Sequence, residues 1–274
     1  ADPIMGRVML AAGLLCCGLL ALPVAAGSMP FDAIFVLNPP STCSLFVARR
    51  QATEARLSSL SGKVPLRFRG ADQRCHEDLA AEFPSISTHK ENQVLWGRVA
   101  NLAGNRQIWR ECVEQGYGVC LVLEDDTNFE NETASVLQEV LRHTPDDWGL
   151  LSLGVSSLSQ PRPDASPPPD DLPPSFQWIS SSTTTATSGR HVIPLRPGHL
   201  GSHAYLVKRE AAQRLIAETA VPTHPTDVLL STLSQNGAIA GYLVTPSVVE
   251  QLSRVSSTER GVALDAPPQC SLRA

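Results

Sequence analysis

The chain has 274 residues, 42% hydrophobic and 18% charged, an ordinary globular composition that can bury the core of one large α/β domain or two small ones. Its net charge is −5 with a sequence pI near 5.8, and no block of Lys or Arg forms an electrostatic stripe. These values argue against a nucleic-acid partner.

Ala1 to Ile4 precede Met5 and read as a fusion remnant. Residues 5–26 then carry one positive charge, Arg7, an apolar stretch from Val8 to Val24, and the small residues Ala25-Ala26. That pattern predicts a signal peptide cleaved after Ala26; an uncleaved signal anchor is the alternative, because the stretch is just short of a comfortable membrane span. Either way the rest of the chain is expected in an oxidising compartment, the lumen of the secretory pathway (endoplasmic reticulum or Golgi) or outside the cell, with no membrane association after leader cleavage. Beyond the leader remain Cys43, Cys75, Cys112, Cys120 and Cys270, an odd number that leaves at least one free or paired with another chain. No two have CxxC spacing, which argues against zinc, and Cys120 reads as a small buried hydrophobe. Asn131-Glu132-Thr133 is a glycosylation sequon.

Phe31 to Asn38 is an apolar run closed by Pro39-Pro40 and predicts a first core strand. Thr42 to Leu60 has helical composition, with Arg49 and Arg50 placed either to touch a nucleotide or to face solvent, and Val64 to Phe68 is a weaker strand. Asn92 to Gln115 shows three- and four-residue apolar spacing, with Gly104 expected to break the helix. Val119 to Asp126 reads as a fully buried, parallel strand ending in Glu124-Asp125-Asp126. A short helix from Thr133 to Leu141 and a strand from Trp148 to Gly154 follow. Residues 156–189 are rich in Pro, Ser and Thr and read as a surface insertion or lid that cannot build a core. Order resumes at His191 to Leu195, then a strand at Gly201 to Val207, helices at Lys208 to Thr219 and Asp227 to Leu233, and a strand at Tyr242 to Val244. From Arg254 the pattern is irregular, and 261–274 form a tail. Alternating strands and helices predict a single α/β domain over 27–260, a mainly parallel central sheet flanked by helices.

Three adjacent carboxylates at a strand end repel one another. Open α/β sheets bind ligands at the carboxyl ends of their strands, so a cation or a metal-chelated phosphate is the chemistry such a ledge suits; a solvated acidic turn is the plainer reading.

In order and spacing the chain resembles glycosyltransferase family 25, the lipooligosaccharide and procollagen galactosyltransferase group. The residues that carry the resemblance are Ala33 to Asn38, Gly97 to Asn105 with Ile108-Trp109, Leu121 to Asp126, Trp148 to Gly154, Gly201 to Leu215, Asp227, and Pro246 with Gln251 and Ser256-Ser257. The resemblance implies a GT-A-like fold and a UDP-sugar donor, usually UDP-galactose, with Mn²⁺ or another divalent cation. The expected reaction moves a hexose to a glycan or a hydroxylated protein acceptor with inversion. On that basis Asp126 is the expected metal ligand, Asp125 a ligand or ribose contact, and Glu124 their support. His203 would complete the metal shell or serve structurally, and His224 is similar. Asp227 would be the general base or a helix-capping acid. Arg49 would touch donor phosphate, and Gln251 and Ser256 donor or acceptor. The family's Ser-His falls on Gly104-Asn105 and its Cys on Asn101. Those departures keep a second reading open: a degenerate, non-catalytic relative that binds a nucleotide-sugar or glycan.

Overall fold

The fold is taken from a computed structural model that describes residues 29–61, 63–86, 93–129, 133–155, 184–185, 189–252 and 270. The predicted leader, Asn131 of the sequon, Ser256, most of the 156–189 insertion and the 261–274 tail apart from Cys270 lie outside those residues.

Strands β1 (Ala33–Leu37) and β2 (Leu66–Arg69) bracket helix α1 (Ser44–Ser61), and helices α2 (His76–Glu82) and α3 (Gln93–Glu114) lead into β3 (Val119–Glu124). The short β4 (Thr127–Asn128), helix α4 (Thr133–Arg142) and β5 (Leu150–Ser152) follow, then β6 (Thr184–Thr185), β7 (His191–Pro194) and β8 (Ala204–Lys208). Helices α5 (Arg209–Glu218) and α6 (Thr226–Gln235), β9 (Gly241–Thr245) and β10 (Glu250–Gln251) complete the described elements.

Among the described residues eight strands form one sheet in the order β2-β1-β3-β8-β5-β9-β7-β6, and β10 pairs antiparallel with β4 beside it. Only β7 and β8 run against the other strands of the large sheet, so the architecture is α/β with a mainly parallel sheet, consistent with a GT-A-like fold. Strand pleating divides the core. Phe35, Val122, Tyr205 and Val207 face a cluster with Trp96, Trp109, Ala212 and Leu215 of α3 and α5. Ile34, Val36, Leu121, Leu123 and Leu206 face the other side, against Leu57 of α1 and Leu137 and Val140 of α4.

Several expectations need correction. Helix α3 runs unbroken through Gly104. A Cβ there would collide with Leu37 Cδ1 and lie 3.0 Å from Gly70 Cα, so glycine serves close approach of the helix to β1 rather than a break. Cys120 is not a free thiol: it is bonded to Cys112, tying the end of α3 to β3, while Cys75 is bonded to Cys270 and buried Cys43 is free. The strand β3 is parallel to β1 but antiparallel to β8, and it ends at Glu124, leaving Asp125 and Asp126 in the turn. Thr184–Thr185, inside the expected insertion, pair antiparallel with β7 at the sheet edge. The seven-residue α2 and the two-residue β4 and β10 are too short for periodicity to reveal. No helix among the described residues is long and apolar enough to cross a membrane.

Candidate active site

The three acids emerge where β1 and β3 end side by side, with Leu37 opposite Glu124 in the parallel register. Pleating continues into the turn and sends the acids apart. Asp125 turns toward α1, where it accepts from Asn38 Nδ2 at 2.7 Å and Arg49 Nη1 at 3.1 Å. Its carbonyl accepts from Thr53 Oγ1 at 3.0 Å, and Arg56 Nη2 braces that threonine at 2.9 Å. Arg49 also lies 3.8 Å from Asp126 Oδ2. Gln251, delivered by the β10–β4 pairing, reaches both oxygens of Asp126 at 3.4 and 3.3 Å and Glu124 Oε2 at 3.5 Å. Glu124 turns toward α3, accepting at Oε1 from Asn101 Nδ2 at 3.4 Å and Ser202 Oγ at 3.3 Å.

Arg49, Asn101, the three acids and Gln251 floor an open cleft. Leu37, Pro39 and Phe46 form an apolar side, and the Gly70–Gln73 turn after β2 forms another wall. Within that turn Asp72 is buried and held by Arg74 at 2.6 Å, and Cys75 fastens the following residues to Cys270.

The electrostatics are uneven. Asp125 and Asp126 are only 6% and 8% exposed, and loss of water raises both carboxyls above their ordinary range, with Arg49 pulling the other way. Glu124 is pushed up to about 8, first by burial and then by repulsion from Asp126 and Asp125. Asp125 and Asp126 share the Arg49 guanidinium while Glu124 meets neutral donors, and a divalent cation would supply further counter-charge through hard oxygen donors. His203 adds a second observation. Its Nε2 meets the Val249 carbonyl at 3.1 Å, which leaves Nδ1 as a buried lone pair with no hydrogen-bond partner, near enough to Asp126 to feel its charge. The donor chemistry suits a cation, but among the described residues no His, Cys, Asp or Glu trio at this end of the sheet has donor atoms within 4.8 Å of one another. Such a trio does occur at Cys75, Asp78 and Cys270, where the disulfide already occupies both sulfurs.

Asp227 stands in the first turn of α6, where Oδ2 accepts from the Gly201 backbone N–H at 3.2 Å and Oδ1 from that of Val228 at 2.8 Å. It is thus one residue from Ser202, the partner of Glu124. His224 is exposed and pairs with Thr223 at 3.0 Å. Sequence reasoning missed Asn38, Thr53, Ser202 and Thr226, which donates to Asn101 Oδ1 at 2.7 Å. Of these, Asn38 left a signal, a polar residue closing an apolar run.

The family profile described as glycosyltransferase family 25 (LPS biosynthesis protein) matches residues 46–230, more than half of the chain. The chain belongs to glycosyltransferase family 25. The family match covers Arg49, the three acids, His203 and Asp227, while β1 with Asn38 and β10 with Gln251 lie outside the matched span. No curated protein sequence matches the chain at a significant level. As a family 25 member it is a glycosyltransferase, and that membership points to a nucleotide-sugar donor. Neither Gly104 nor Asn105 lines the cleft: Asn105 is 1% exposed and bonded to Asn101 and Tyr205.

Proposed function

We propose that the protein transfers a hexose, galactose in the first instance, from a UDP-sugar to a hydroxyl of a glycan or hydroxylated protein side chain, with metal assistance and inversion. The observation that carries this reading is the acid ledge with Arg49 at the floor of an open cleft at the strand ends. Asp126 and Asp125, with His203 Nδ1 on the buried side, are the groups that would hold Mn²⁺ or another divalent cation. When bound, such an ion supplies Lewis-acid stabilisation of the leaving diphosphate. Arg49 adds a guanidinium that pairs with phosphate oxygens. The apolar side of the cleft accepts the base, and Gln251 steadies Asp126 and Glu124 from the far side. Asp227, beside the Gly201-Ser202 turn, is the group assigned to take the proton from the acceptor hydroxyl. A leader at 5–26 would deliver the chain to the secretory lumen, and two disulfides among the described residues agree with folding in an oxidising compartment.

The test is turnover of a panel of UDP-sugars with and without Mn²⁺, read as UDP release. Metal-dependent release from one donor class that disappears in Asp126→Ala supports the reading. Tight binding without release from any donor would instead favour a nucleotide-sugar-binding protein that has lost transfer.

A further inference from the structure

The three acids divide into a charged side and a neutral one. Asp125 and Asp126 are close to the Arg49 guanidinium. Glu124 faces uncharged donors: Asn101 Nδ2 at 3.4 Å, Ser202 Oγ at 3.3 Å and Gln251 Nε2 at 3.5 Å. A diphosphate seeks cations, whereas a sugar presents neutral hydroxyls that donate well to a carboxylate and accept from an amide N–H. On the Glu124 side, the amide of Asn101 is clamped. Its Oδ1 accepts from Thr226 Oγ1 at 2.7 Å and Asn105 Nδ2 at 3.1 Å, so both lone pairs are engaged and the amide cannot flip without leaving two donors unpaired. Asn105 is fixed in turn. Its Nδ2 also donates to the Asn101 carbonyl at 2.9 Å, and its Oδ1 accepts from Tyr205 Oη at 2.5 Å, which itself accepts from Trp109 Nε1 at 3.0 Å. Asn105, Tyr205 and Trp109 are each at most 1% exposed, so the chain is anchored in the core of α3 and β8.

We propose that Asn101, clamped by Thr226 and Asn105, is a positioning residue that aims Glu124 at the hydroxyls of the transferred sugar, making Glu124 the group that discriminates between donor sugars while Asp125 and Asp126 serve the diphosphate. This rests on the nucleotide-sugar reading above and adds to it a division of labour among the three acids. Their hydrogen bonds set two adjacent acids beside the guanidinium and one among neutral donors.

Thr226 is 3% exposed and does not line the cleft, so replacing it tests the clamp without removing a ligand contact. Thr226→Val deletes the hydroxyl at nearly constant volume, Thr226→Ser retains it, and Ser202→Ala removes a direct partner of Glu124 at a half-buried turn where folding is not at stake. Affinities for UDP and for UDP-galactose and UDP-glucose are measured in Mn²⁺ by calorimetry, alongside kcat/KM for each donor. Thr226→Val and Ser202→Ala are expected to weaken the favoured UDP-sugar by about tenfold, the scale of one hydrogen bond to a charged group, and to narrow the preference between the two sugars. UDP affinity stays within about twofold and Thr226→Ser behaves as wild type. If UDP weakens as much as the UDP-sugar, or if sugar preference is unchanged in both variants, the proposal is overturned. The affinity ratio is readable without turnover, so a wild type that binds UDP-sugars but releases no UDP defeats the transfer reading alone. A wild type that binds neither UDP nor UDP-sugar defeats both.

Discussion

Glu124→Gln isolates the cost of crowding the three acids. The wild-type carboxyl is pushed from 4.5 up to about 8 in the folded protein, so between those values the native state binds a proton that the unfolded chain releases. Stability of the metal-free protein therefore falls as pH rises through that window, and it is least affected below pH 4.5. One pKa unit corresponds to about 1.4 kcal/mol, which caps the effect near 5 kcal/mol; Glu124 keeps some exposure to the open cleft, so solvent screening brings the expected value to about 1–3 kcal/mol. Glutamine keeps an oxygen to accept from Asn101 and Ser202. Thermal melts of wild type and Glu124→Gln in chelator are expected to coincide near pH 4.5 and to separate progressively toward pH 8.5, the variant melting higher by roughly 2–4 °C per kcal/mol. Saturating Mn²⁺ should close much of that gap by stabilising the wild type more, because a cation relieves the same repulsion. A difference that is flat with pH, or a wild type that melts higher across the range, would refute the account of the acid ledge.

Asp126→Ala is expected to lower metal-dependent UDP release at least about a hundredfold, since it removes an assigned oxygen donor; steady-state release with the preferred donor measures it. Gly104→Ala should destabilise by about 1–3 kcal/mol in urea unfolding, because the added methyl meets Leu37 and Gly70 with the helix already against β1. Replacing Cys112 and Cys120 together by Ser opens a bridge spanning 8 residues, for which loop-closure entropy gives about 2.5 kcal/mol of lost stability. Non-reducing peptide maps of the wild type should recover the 112–120 and 75–270 pairs with Cys43 alkylated.

Much of this molecule was legible along the chain because its signals are local. The apolar runs that became β1, β3, β8 and β9 and the long periodic helix α3 follow from side-chain periodicity, which a linear reading contains. So did the acid ledge: three carboxylates after a buried run are conspicuous wherever the strand lies in the sheet. Gly104 misled because a helical glycine looks the same in sequence whether it breaks the helix or lets it approach β1, and only the neighbouring Leu37 and Gly70 decide. Cys120 is buried in β3 as its apolar setting implied, but its bond went unseen for a similar reason, since an apolar strand position does not reveal that Cys112 faces it.

What tertiary structure alone decided is how the ledge is divided. The pleat at the end of β3 sends Asp125 to Asn38, 87 positions away in sequence, and Glu124 to Asn101. Thr226 reaches Asn101 across 125 positions, and Gln251 reaches Asp126 across the same span through a pairing of two-residue strands. Hydrogen bonds between such distant residues depend on sheet order and chain packing, which no local pattern encodes. The sequence by itself determined that three acids stand at the end of a core strand in a family 25 chain; the packing of α1, α3 and α6 around that strand decided which acid meets a cation and which meets neutral donors.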